Sequence, residues 1–165
     1  MKYLGQSKFM LVVSAALLPL FISGCIKRTD EADNSSGPTL VKKRVPTAAE
    51  ILGSMKSAGV PMKAVQDFTE ETDPNHLLGR PDQYTSKAEF KDPRYPHADT
   101  ISVEVFSNPE DAKVRHDYIA TVTKGVAFLV QYQYLDGPAL LRAPHAILPK
   151  DAKKYEVAFH AAMGG

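Results

Sequence analysis

The sequence has only one cysteine, Cys25, so no disulfide bond can form within the chain in any compartment. Its charge is nearly balanced, at +1 for 165 residues, and no basic stripe runs along it, which removes the electrostatic case for nucleic-acid binding. The chain also lacks a glycine-rich phosphate loop and the G-x-S-x-G turn that presents a nucleophilic serine. We therefore assign no catalytic residue.

The histidines do not form a metal-ligand pattern. Ligand pairs on a helix are expected three or four residues apart, whereas neighbouring histidines here stand 15 or more residues apart, and His97 with Asp99 is a close histidine–acid pair but not a helical one. We predict no metal site and no other cofactor. The five histidines are His76, His97, His116, His145 and His160.

The amino-terminal segment has the pattern of an export signal. Two lysines precede or flank an apolar run over residues 9–22, and small residues follow directly before Cys25. The apolar run is shorter than the about 20 residues that a bilayer-spanning helix needs. The sequence therefore predicts a signal peptide over residues 1–24.

The motif ISGC, residues 22–25, resembles the lipobox of bacterial lipoproteins. This resemblance implies that cleavage leaves Cys25 as the first residue, with a thioether-linked diacylglycerol and often an amide-linked third chain such as palmitate. Two or more chains give a stable anchor, whereas one chain alone is marginal. The alternative is a reactive free thiol. Ile26 is not the aspartate associated with inner-membrane retention, so we expect the exported protein on the outer membrane, or on the outer face of the cytoplasmic membrane in a cell without one.

Residues 25–46 read as the lipidated cysteine and a flexible tether. They are polar, mixed in charge and without a hydrophobic period. Such a coil has an average end-to-end distance of about 25 Å. The basic triplet at residues 42–44 either contacts anionic lipid or is simply solvated, and we favour the second interpretation. Cleavage also removes two lysines, which leaves the net charge close to zero.

Residues 47–165 show alternating helical and strand periodicity. A capping box at Thr47, a cap at Asn108 and a proline at Pro149 predict three helix starts. Between them lie five strand patterns joined in part by tight turns. This order predicts a single two-layer α+β domain with an antiparallel or mixed sheet of about five strands and helices packed mainly on one face. The middle helix is predicted to pack on the sheet through Ala112, Val114, Tyr118, Ile119 and Val122.

The segment DPNHLLGRPDQYTSK, residues 73–87, is the one loop with candidate binding residues. A cap at Asp73 and a left-handed stop at Gly79 explain most of it. They do not require Arg80, whose planar cation suits a carboxylate or phosphate, unless it pairs with Glu71, Asp73 or Asp82 to hold the loop. The candidate binding loop consists of Asp73, Asn75, His76, Arg80 and Tyr84.

This loop, followed by the blocks SVEVF and YLDGPALLR, resembles a family of small exported bacterial lipoproteins of unknown function. The resemblance covers roughly residues 47–163 and implies no particular activity. Leu148 stands where a capping serine or threonine is usual in that family, so the last helix is expected to fray at its start.

These observations favour a membrane-anchored cell-envelope lipoprotein that acts as a noncatalytic binding module. Its expected partners are the membrane, through the lipid anchor, and an envelope protein or a cell-wall component. One alternative is an envelope hydrolase or other enzyme with an unrecognised site, which requires a deep pocket holding a strongly perturbed acid or histidine. Another is a phage-type inhibitor or exclusion lipoprotein. The sequence does not specify the oligomeric state.

Overall fold

The computed structural model describes residues 44–164, which fall within one compact unit. The predicted signal peptide, Cys25 and nearly all of the predicted tether lie outside the described residues. The elements, in chain order, are α1 (Ala48–Ser57), β1 (Lys63–Asp67), β2 (Ser86–Lys91), β3 (Ile101–Val105), α2 (Pro109–Thr123), a 3₁₀ turn (Ala127–Leu129), β4 (Gln131–Asp136), β5 (Ala139–Pro144) and α3 (Pro149–Met163).

The five strands form one open antiparallel sheet in the order β1-β2-β3-β5-β4. The chain runs through β1, β2 and β3 as a meander. Helix α2 then carries it to the far edge strand β4, and a tight turn with Gly137 at φ 52° returns it as β5 beside β3. This architecture confirms the predicted single-domain α+β fold.

Helices α1 and α3 pack on one face of the sheet. Alternate residues of the central strands point to that face because side chains alternate along a strand. Helix α1 starts at the predicted capping box, in which the Thr47 hydroxyl and the Glu50 carboxylate each accept a backbone N–H. The main fully buried members of this core are Ile51, Leu52, Met55, Phe90, Ile101, Val103, Leu141, Tyr155 and Phe159.

Helix α2 covers the opposite face. It begins at Asn108, whose side chain accepts the Asp111 amide, with a proline at the first helical position, as predicted. A second, smaller core lies beneath it. That core consists of Tyr84, Phe106, Ala112, Ile119 and Leu140, with Leu77, Leu78 and Leu135 packed at its edge.

The predicted contact stripe of α2 is wrong in part. Ala112 and Ile119 are buried, but Val114, Tyr118 and Val122 are 68%, 58% and 50% exposed. At 3.6 residues per turn the apolar residues of α2 spread over about 160° of the helix surface, more than one contact line can bury. The helix therefore turns one edge of this stripe to the sheet and leaves the other edge outside.

Strand β5, which lies between β3 and β4, provides a test of the first core. Leu141 is fully buried there, so Leu141→Ala should lower the free energy of unfolding by about 2–5 kcal/mol through lost burial and a cavity. Urea unfolding followed by circular dichroism measures this change. Val157→Ala, at a site 59% exposed on α3, is the control and should stay within about 0.5 kcal/mol of wild type. Equal midpoints for the two variants would contradict this core assignment.

Candidate functional site

The Asp73 carboxylate is the centre of a buried polar cluster between the loop 68–85 and strand β2. Its side chain is fully buried, which is costly for a charge unless donors surround it. Five groups donate hydrogen bonds to it, with donor–acceptor distances between 2.6 and 3.3 Å: the Tyr84 hydroxyl, the Lys87 ammonium and the backbone amides of Asn75, Leu77 and Leu78.

These contacts fix the protonation of Asp73 and Tyr84. Burial alone would raise the pKa of the Asp73 carboxyl, but hydrogen bonds from Tyr84, the Leu77 amide and Lys87 together hold that pKa well below its usual range. Burial and the bond to Asp73 raise the pKa of the Tyr84 phenol. Asp73 is therefore a fixed anion, and Tyr84 is a fixed neutral donor.

Lys87 is also removed from solvent. Its ammonium lies 2.9 Å from Asp73 Oδ1 and 3.3 Å from Glu89 Oε1, and its side chain is 1% exposed. The same ammonium sits 4.6 Å from the centroid of the Phe68 ring, close enough for a cation–π contact. Lys87 of β2 thereby connects two points of the loop, Phe68 and Asp73, to the sheet.

A second ion cluster lies on the same sheet face beneath α2. Glu104 of β3 is fully buried and accepts from Arg115 Nε at 3.1 Å and from Arg142 Nη2 at 2.7 Å. Burial would lower the pKa of the Arg115 guanidinium, but the bond to Glu104 outweighs it and raises that pKa. Two buried polar atoms beside this cluster have no partner within residues 44–164, Arg142 Nε and Gln133 Oε1.

The predicted binding residues separate into two groups. Asp73 and Tyr84 are buried against each other, and Asn75 Nδ2 donates to the Tyr84 hydroxyl at 3.3 Å. His76 and Arg80 are exposed, with His76 held at φ 52°. Arg80 forms no ion pair with another described residue, so it does not hold the loop through Glu71, Asp73 or Asp82, and Lys87 pairs with Asp73 instead.

Gly79 has the predicted left-handed conformation, at φ 79°, and its amide donates to the Tyr84 carbonyl. A Cβ here would lie 2.3 Å from Glu70 Oε1, so the loop passes close to the Glu70 side chain.

A third polar cluster joins the loop after β2 to α3. The Asp92 carboxylate accepts from Arg94 and from the Tyr155 hydroxyl, and Arg94 also reaches Asp151 at 3.0 Å. Hydrogen bonds from Tyr95 and Lys154, together with Arg94, hold the pKa of the Asp151 carboxyl far below its usual value. The predicted fraying of α3 is not tested, but Leu148 provides no side-chain cap.

Two open clefts flank these clusters. One, of about 420 Å³, lies where α1 ends beside α3 and has mainly apolar walls, with Arg94 and Tyr155 among its lining residues. The other, of about 330 Å³, lies between the candidate loop and α2, where Leu77, Asp82, Arg115 and Tyr118 line it. Each cleft thus borders a closed ion cluster.

Nowhere between residues 44 and 164 do three or more histidine, cysteine or acidic side chains come together as potential metal ligands. No helix of this described part combines the length and the apolar content that crossing a bilayer requires.

Comparison with known proteins gives no relative from which a function can be transferred. No protein-family model, no curated protein and no solved structure matches this chain.

The ion clusters on the sheet were not anticipated from the sequence. Lys87 and Glu104 occupy the positions that alternate with apolar residues in β2 and β3, a pattern that normally indicates a solvent-facing side. These two residues are buried because α2 and the loop 68–85 cover this side of the sheet, and no local pattern predicts that cover. The alternation of polar and apolar residues is the signal that the sequence offers for these positions.

The buried cluster predicts an unequal response to removing its two charges. Asp73→Asn leaves the Lys87 cation buried with Glu89 alone and should cost about 3–5 kcal/mol of unfolding free energy. Lys87→Met should cost less, about 1–3 kcal/mol, because the other donors to Asp73 remain. Urea midpoints measure both losses.

The double variant Asp73→Asn/Lys87→Met should lose less than the sum of the single changes, since neither charge is left alone. Asp82→Asn, an exposed acid of the same loop, is the matched control and should leave the midpoint unchanged. Strict additivity, or a loss below about 1 kcal/mol for Asp73→Asn, would contradict the coupling of these charges.

The same networks predict loss of stability in acid. The pKa values of Asp73, Asp92 and Asp151 are lowered in the folded state, so these groups stabilise the fold above their unfolded value near 3.8. This stabilisation should be lost as the pH falls below about 4. Urea midpoints between pH 7 and pH 2.5 should show a shallower acid slope for Asp151→Asn than for wild type. Parallel slopes would exclude Asp151 from the acid response.

Proposed function

We propose that this chain is a membrane-anchored lipoprotein of the cell envelope whose α+β domain is a noncatalytic binding module. The noncatalytic part of this proposal rests on one observation, that the buried carboxylates are already paired with cations of the protein. Asp73 is neutralised by Lys87, Glu104 by two arginines and Asp92 by Arg94. Groups paired in this way hold elements of the fold together.

A general acid or base needs a pKa close to the working pH and access to a substrate. The buried carboxylates have the opposite properties, since the pKa values of Asp73 and Asp92 are lowered and both side chains are fully buried. The geometry therefore supports a structural role for these acids. The groups left on the surface of the loop, His76 and Arg80, are accessible to a binding partner.

Anchoring is the part of the proposal that the sequence carries, through the ISGC motif and the polar segment that follows it. With Cys25 acylated, the domain is confined to a bilayer without a spanning helix. Its partners would then be other envelope components within reach of the tether. We propose an envelope protein or a cell-wall component as this partner.

The anchor is tested by Cys25→Ser in the full chain. Membrane retention after a carbonate wash and incorporation of labelled palmitate should both be lost, because the acyl acceptor is gone. A matched control, Cys25→Ser/Ser35→Cys, restores a thiol in the tether away from the motif and should not restore either signal. If Cys25→Ser is still labelled and still sediments with membranes, the anchoring proposal fails.

A further inference from the structure

Exposed apolar side chains concentrate on α2 and on the turn that follows it. Ten large apolar side chains are exposed within residues 44–164, and six of them lie between residues 114 and 130. Single exposed apolar residues are normal on a protein surface, whereas a continuous group marks an interaction site. We define the apolar tip as Tyr118, Val122, Phe128, Leu129 and Val130.

The tip is presented by ordered backbone. After α2 ends, the Val126 amide donates to the Thr123 carbonyl at 3.0 Å, and the Leu129 amide donates to the Val126 carbonyl at 2.8 Å. The first bond closes the end of α2 and the second forms the 3₁₀ turn, in which Phe128 is 83% exposed. The chain therefore displays an aromatic ring at this point instead of folding it into a core.

The charge pattern indicates what covers the tip. Residues 118–130 contain no acidic residue and one cation, Lys124, whereas the acids of α2, at positions 110, 111 and 117, precede this segment. Apolar and aromatic side chains beside a lone lysine suit the boundary between lipid headgroups and acyl chains. Anionic lipids would attract the end of α2 that carries Lys124, whereas over residues 109–117 of the helix three acids outnumber two cations, Lys113 and Arg115.

The position of the tether allows the same bilayer to reach the tip. Val45 and Pro46 share the lining of a small cavity with Phe106 and Ser107, directly before α2 begins. The roughly 19 residues that separate Cys25 from Arg44 span at most about 65 Å. Helix α2 is only about 22 Å long. The far end of α2 is therefore within reach of the surface that holds the anchor.

We propose that the apolar tip docks into the headgroup boundary of the bilayer that carries the lipid anchor. Phe128 enters the acyl boundary, and Lys124 stays at the level of the lipid phosphates. This inference rests on the proposed anchoring at Cys25. It adds a second attachment point, which gives the domain a fixed orientation on the membrane.

The absence of tryptophan from the chain allows a clean test. Phe128→Trp places the sole indole on the tip, and Val157→Trp places it on α3, across the sheet from α2, at a site 59% exposed. Each acylated full-length variant is reconstituted into phosphatidylcholine–phosphatidylglycerol vesicles with or without acyl-brominated lipid. The Phe128→Trp emission should shift to the blue and be quenched by bromine at least about twofold more than the Val157→Trp emission.

Four results would overturn the proposal or part of it. If the Phe128→Trp emission is water-like and unquenched in vesicles that retain the protein, the docking of the tip is contradicted and the anchoring is not. Equal quenching of both variants removes the orientation. If the emission shifts to the blue without bromine quenching, and the shift grows with protein density, the tip contacts a second copy or another protein instead of lipid. Loss of both variants from the vesicles in carbonate overturns the anchor and the tip together. Matching urea midpoints for both variants exclude misfolding as the cause.

Discussion

The position of the loop 68–85 on the sheet depends on the burial of the Asp73 carboxylate. A charge without water needs several donors, and here they come from the loop itself, from Tyr84 and from Lys87 of β2. Each donor fixes a different piece of chain around the same two oxygens. A buried pair of this kind adds little net stability relative to an apolar pair, but breaking it is costly. We infer that its main effect is to fix where the loop 68–85 sits against the sheet.

The charges also explain why the two faces of the sheet are so different. The face under α1 and α3 is apolar and closely packed, whereas the face under α2 carries Lys87, Glu104 and Arg142. Arg115 of α2 forms an ion pair with Glu104. The buried apolar residues of α2 are Ala112 and Ile119. These two residues form only a narrow apolar contact between α2 and the sheet. The ion pair from Arg115 to the buried Glu104 adds a second attachment. The remaining apolar edge of α2 is consequently left on the surface.

Local chemistry made most of the fold predictable. The capping box at Thr47, the Asn108 cap and Pro149 mark helix starts through contacts between near neighbours, and the structure has each helix where these signals put it. Strand order and the face taken by α2 depend on pairing between distant segments, which no local pattern encodes. The same division applies to the candidate site. The cap formed by Asp73 was predictable, but its pairing with Lys87 depends on the meander that brings loop and strand together.

The lipid anchor that we propose at Cys25 would change how much affinity the apolar tip needs for the bilayer. A tether that holds a domain beside a surface makes the second contact intramolecular, with an effective concentration on the order of millimolar for a short flexible linker. A few apolar side chains, too weak to bind a free protein to lipid, are then sufficient to orient an anchored one. A small tip also limits the exposed apolar area while the chain is in water. The modest size of the cluster around Phe128 therefore fits the two-point attachment that we propose.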